Sequence, residues 1–236
     1  MNAMKTSLSK REQQQWLSTK ISELPLTLKD PPLHTCILHL YQELEAAGIA
    51  FKPKTYLSDD WGCPNKVPII GIPFYLGNPR LITLIRQRTG IDVREEVILM
   101  FLRHEAGHAF NYAYYLYRTP AWRQLFGSFS QPYPAQYHPI PGDPHFVHHF
   151  PGWYAQRHPD DDFAETFAVW LTPHSDWQRH YAATPAFPKL VYVERIVHQY
   201  HTQPPSLTDG PLDRPVHEIT VTLQEWLAKR RNVLQQ

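Results

Sequence analysis

The sequence predicts an α+β fold that is mostly helical, with a small N-terminal sheet beside one long helix. Three observations carry this. Apolar residues recur at spacings of three and four through most of the chain, two short runs at residues 50–56 and 67–75 have strand character, and a helical stretch after Asp92 contains His104-Glu105-Ala106-Gly107-His108. At 236 residues and 42% hydrophobic content, the chain can bury a full core, so one domain is expected. Within it we expect a helical extension over residues 1–30, the sheet and histidine helix over 31–117, a Pro/His-rich loop over 118–151 and a helical half over 152–236.

In chain order, Lys10 to Leu24 reads as a polar helix, and Leu33 to Gly48 as an amphipathic one ended by glycine. Ala50 to Tyr56 and Val67 to Tyr75 read as strands, separated by an Asp59-Asp60-Trp61-Gly62 turn. Asp92 and Glu95 have the spacing of a capping box, which starts the histidine helix. Val97, Phe101, His104, His108 and Tyr112 then recur on one face, expected to turn inward. From Arg118 to Pro151 the chain is rich in proline, histidine and aromatics with little period, and a loop of that length is expected to be a wall or lid. Pro159 and the aspartates after it suit a helix first turn, and Thr172-Pro173 ends that helix near Leu171. Short helices follow over His174 to Tyr181, Lys189 to His201 and Thr220 to Val233; Leu223, Trp226 and Leu227 should pack inward, and Lys229, Arg230 and Arg231 suit the helix end.

The histidine run carries the chemistry. Residues four apart on a helix share a face, so His104 and His108 can reach one metal ion while Glu105 sits beside its open position. That geometry suits a zinc hydrolase, which needs a third protein ligand and a position left for water. Asp161 and Glu165 are also four apart. One carboxylate can bind the metal while the other accepts a hydrogen bond from a ligand histidine. The residues alone leave open which acid does which, and Asp162 adds to the choice.

The pairing of this run with Tyr154, Asp161 and Phe163-Ala164-Glu165-Thr166-Phe167 resembles the gluzincin-type metallopeptidases related to the catalytic domain of anthrax lethal factor and to the secreted Pro-Pro endopeptidases. It is also similar to a group of bacterial zinc-binding metallopeptidases. The resemblance covers about residues 92–173 and implies a zincin-like fold with one Zn2+ per chain held by His104, His108 and Asp161. It gives Tyr154 the substrate oxyanion and puts Glu165 behind a ligand histidine. The family ligand is usually glutamate, one methylene longer than Asp161, so either the helix stands closer here or Glu165 binds the zinc. The implied reaction is peptide hydrolysis, with Glu105 as general base moving the proton of an activated water to the leaving amine. In zincins a sheet edge beside the motif helix binds extended substrate, and Val67 to Tyr75 is the expected edge.

Other classes fit less well. A metzincin would carry glycine at 111 and histidine at 114, where this chain has Asn111 and Tyr114. His145, His148 and His149 have no partner acids or cysteines in a recognised arrangement and are expected at the rim or facing the substrate. With Cys36 and Cys63 far apart, a structural zinc finger is excluded. A net charge of +1 argues against nucleic acid as a partner. Met1 to Lys20 has no apolar run of signal-peptide length, and no run approaches a membrane span, so a cytoplasmic peptidase acting on a peptide or protein is expected. A peptide-binding or regulatory protein on the same scaffold, without turnover, is the alternative. Retention of Glu105 favours the enzyme, because a structural zinc has no use for a general base.

Overall fold

The first helix starts where Ser9 and Glu12 cap each other's exposed N–H groups, and in the computed structural model, which describes residues 8–234, it runs Lys10–Ser18 (α1). Residues 1–7 of the expected N-terminal extension lie outside the described residues, as does the side chain of Arg231. The helix stops six residues before Leu24, because the N–H groups of Ile21 and Ser22 bond across to the carbonyls of Val221 and Ile219 at 3.0 and 3.1 Å. Ile21 is thereby fully buried.

Helix α2 (Leu33–Ala46) precedes β1 (Lys54–Ser58), which pairs in parallel with β2 (Ile69–Pro73) in the register Lys54 to Ile69 through Ser58 to Pro73. The fold is thus mixed, mainly helical with a small two-stranded parallel sheet. Strand β1 starts later than expected, after Pro53, which has no N–H to give a ladder. The other edge of β2 is not free for a peptide at its centre. Gly62 and Gly71 exchange N–H···O bonds of 2.8 and 3.2 Å there, and β2 is buried along its whole length. The expectation of substrate strand addition on Val67 to Tyr75 is corrected accordingly: the chain's own turn occupies that edge. A Cβ on Gly71 would meet Gly62 O at 2.9 Å, so glycine is what allows the close pairing.

Helix α3 (Pro79–Thr89) has Asn78 as N-cap and Gly90 at φ +74° as its stop. Helix α4 (Glu95–Ala113) carries the histidines. The Asp92 capping box does not form; Arg94 holds the N-cap position, and the Asp92 carboxylate instead takes the Arg94 guanidinium and backbone N–H. The expected Arg118–Pro151 loop begins with a helix, α5 (Pro120–Phe126), capped by Thr119. Helix α6 (Pro159–Leu171) is followed by α7 (Trp177–Tyr181), α8 (Phe187–Tyr200) and α9 (Leu223–Leu234).

The main core draws on residues from Leu8 to Leu227, with Trp122, Phe110, Phe163 and Phe167 at the α4–α5–α6 junction. Helices α4 and α6 approach closely where Gly107 meets Ala164; a Cβ at Gly107 would stand 2.8 Å from Ala164 Cα and 3.0 Å from its carbonyl oxygen. Among the described residues, no helix is long and apolar enough to cross a membrane.

Candidate metal centre

Where α4 and α6 cross, three donor atoms converge. His104 Nε2 and His108 Nε2 are 3.0 Å apart, and Asp161 Oδ1 lies 3.5 Å from His108 Nε2 and 4.0 Å from His104 Nε2. All three residues are buried, and together they can hold a metal ion.

The outer ring nitrogens face carboxylates. His104 Nδ1–H donates to Glu165 Oε1 at 3.0 Å. Glu165 Oε2 accepts from the backbone N–H groups of His149 and Phe150 at 3.1 and 2.9 Å, so both its oxygens are occupied. Glu165 thus stands behind His104, while Asp161 belongs to the group of donors that could hold a metal ion. The Gly107–Ala164 contact sets α4 and α6 close together at this crossing.

His108 Nδ1 lies 2.9 Å from Asp160 Oδ2, off the line of an ideal N–H···O bond. Asp160 also accepts from Asn111 Nδ2 at 2.8 Å and from the Tyr112 hydroxyl. Sequence reasoning missed Asp160. The signal was that two ligand histidines need two orienting acceptors, and only Glu165 had been assigned to that task.

The aspartates at the start of α6 are not mere compensation for the helix dipole. Successive residues on a helix turn by about 100°, so the three fan out to three partners. Asp160 faces His108, Asp161 faces the metal-binding atoms, and Asp162 accepts from Lys189 Nζ at 2.6 Å. The N-cap itself is His158, whose Nδ1 accepts from Asp160 N–H and whose Nε2–H donates to Gln131 O at 2.7 Å.

Electrostatics at the centre favour a positive charge. Burial holds His104 well below the usual imidazole range. Burial also opposes charge on His108, but Asp160, Asp161 and Glu105 outweigh it and hold His108 well above that range. With both Nδ1 atoms turned to carboxylates, two imidazole lone pairs and a carboxylate oxygen meet, and a proton or a metal ion between them relieves the repulsion. Burial pushes the Glu105 carboxyl up to about 7, and its Oε2 is buried with no hydrogen-bond partner. Asp161 Oδ2 is likewise buried and unpartnered. A group of buried carboxylates around these paired imidazoles, with His108 favoured in its charged form, matches the chemistry of a site that takes up a cation.

Beside the centre opens a cleft of about 880 Å3 that includes His104, Glu105 and Tyr154. Its apolar wall includes Trp61 stacked on Phe101 with centroids 5.2 Å apart, and Phe150 packed 4.6 Å from the His104 ring. Of the face expected to turn inward, His104, His108 and Tyr112 are buried, while Val97 and Phe101 are half-buried in this wall, and Ile98 and Leu102 pack in the core beside it. Arg230 lies on the cleft and bonds Asp60 at 2.6 Å, so it serves more than the charge of its helix end.

The loop histidines do not join the metal-binding group. His145 is exposed and pairs with Asp143, His148 lies against Trp153 with centroids 4.3 Å apart, and His149 Nε2 bonds Met100 O at 2.9 Å. The loop is pinned as a wall. Gln156 bonds both backbone groups of Ile140 at 2.8 Å, Tyr137 reaches the carbonyl of Trp153, and Lys189 holds His145 O at 2.8 Å.

Comparison with known protein families, with curated proteins and with solved structures finds no match to this chain.

Proposed function

We propose that the protein is a zinc-dependent metallopeptidase. The observation that carries this is the convergence of His104 Nε2, His108 Nε2 and Asp161 Oδ1, with an unpartnered Glu105 carboxylate oxygen beside an open cleft. Ligand atoms about 2.0–2.1 Å from a tetrahedral zinc lie roughly 3.3 Å from one another. The separations of 3.0, 3.5 and 4.0 Å bracket that value, and the nitrogen and oxygen donors suit zinc. Three protein ligands leave a position for water, whereas structural zinc sites are closed by four.

When bound, zinc supplies Lewis acidity toward water and a peptide carbonyl. Glu105 takes the proton of the attacking water and delivers it to the leaving amine. Tyr154, on the cleft beside His104, donates to the carbonyl oxygen as charge develops there. Glu165 and Asp160 hold the two ligand rings in position from behind.

The test is cleavage of a mixed peptide library by the zinc-loaded chain, with Glu105→Gln alongside. The variant should keep its zinc and lose hydrolysis by a factor of about 10² or more. A Glu105→Gln chain that cleaves as fast as the parent would refute the general-base role.

A further inference from the structure

Arg157 closes the 3-10 turn Tyr154–Gln156, and its Nη1 donates to the Tyr154 hydroxyl oxygen at 2.9 Å. The guanidinium carbon lies 5.2 Å from the Tyr154 ring centroid and 5.5 Å from that of Tyr133. It is therefore held between the turn and the loop wall. Tyr133 in turn stacks on His158 at 4.2 Å, the residue that caps α6.

A guanidinium has donors only, which fixes the direction of the Tyr154 bond. The phenol oxygen must accept from Arg157, and its own proton takes the other in-plane direction. Among the described residues the Tyr154 hydroxyl has no second hydrogen-bond partner, and its side chain opens on the cleft with His104 and Glu105. The polar contact of Arg157 here is a neutral phenol rather than a carboxylate, so its charge is not cancelled by an ion pair.

We propose that Arg157 is a positioning residue that aims the Tyr154 proton into the cleft and makes that hydroxyl a stronger donor to the reacting carbonyl oxygen. The inference rests on the peptidase reading and adds to it a residue that touches neither metal nor substrate. A cation hydrogen-bonded to a phenol oxygen draws charge from the O–H bond, and this matters most when the acceptor becomes an oxyanion. The contribution therefore falls on the transition state more than on substrate binding.

The test compares Arg157→Ala, Arg157→Lys, Tyr154→Phe and the double variant in the zinc-loaded full chain. Two probes are used, a peptide that the parent cleaves and a phosphinic peptide of the same sequence, whose tetrahedral anion imitates the oxyanion. Arg157→Ala should lower kcat about tenfold or more with KM nearly unchanged, and weaken phosphinic peptide binding by a similar factor. Zinc content should stay at the parent value, and added guanidinium should restore part of the loss. In the Tyr154→Phe background the same change should cost less than about twofold, because residues acting through one group are not additive. An undiminished loss in that background, or a loss confined to KM, overturns the role of Arg157 and leaves the peptidase reading standing. A zinc-loaded parent that cleaves no peptide of the library overturns the peptidase reading, and this inference with it.

Discussion

At the scale of single residues, the candidate metal centre separates two carboxylates that are four apart in sequence and share a helix face. Asp161 points an oxygen at the paired imidazoles, while Glu165 spends both oxygens on His104 and two backbone N–H groups. Their removal should therefore differ in kind. Asp161→Ala takes away a metal donor, whereas Glu165→Ala frees the His104 ring and two N–H groups, and loss of such an outer partner typically costs about 10–100-fold in affinity. Zinc competition against a chromophoric chelator should show the larger loss for Asp161→Ala. The reverse order would make Glu165 the ligand. His104, Glu105 and His108 were legible because they are contiguous and share one helical turn. Asp160 was not, because an acid beside two others at a helix start looks like a partner for the dipole until its burial is seen.

At the scale of elements, the approach of α4 and α6 sets how near Asp161 stands to the paired imidazoles. Gly107 has no room for a side-chain carbon, since its nearest neighbours are backbone atoms of Ala164 on the facing helix. Gly107→Ala should push the helices apart and lower stability by about 1–3 kcal/mol, as overpacking does elsewhere. It should also weaken zinc binding, although residue 107 is not a ligand. Thermal unfolding with and without chelator separates the two effects, and unchanged zinc affinity would detach the crossing from the centre.

A second element-scale prediction concerns α1. The Glu12 carboxyl is held down to about 2 by the Ser9 hydroxyl and the Arg80 guanidinium, which it meets at 2.6 Å. A lowered folded-state pKa stabilises the docked helix above the ordinary glutamate range, and that support is lost as pH falls from there toward about 2. Amide protection in α1 should fall over that window, with Glu12→Gln lacking the Glu12 part of the dependence. Identical profiles for parent and variant would contradict this.

At the scale of the whole molecule, helices with strong local signals were readable. The boundaries of α6, from Pro159 to Leu171, follow from proline at each end and the acidic first turn. Helix α3 carried equally plain signals in Asn78, Pro79 and Gly90, and α5 in Thr119 and Pro120; both were overlooked for want of a long apolar period. What local pattern does not encode is where the chain returns on itself. The early end of α1 depends on bonds to Ile219 and Val221, some 200 residues away in sequence, and the closed edge of β2 depends on the Gly62 turn. The cleft is likewise a product of distant pieces, with Trp61, Phe101 and Phe150 meeting beside His104.

The crossing of α4 and α6 brings together His104, His108 and Asp161, which could hold a metal ion. Elemental analysis of the protein purified without added metal, run in parallel on His104→Ala, tests most directly whether they do. About one zinc per chain is expected in the parent, and its loss in the variant. A folded parent that holds no zinc, even after zinc is supplied, would contradict the zinc reading.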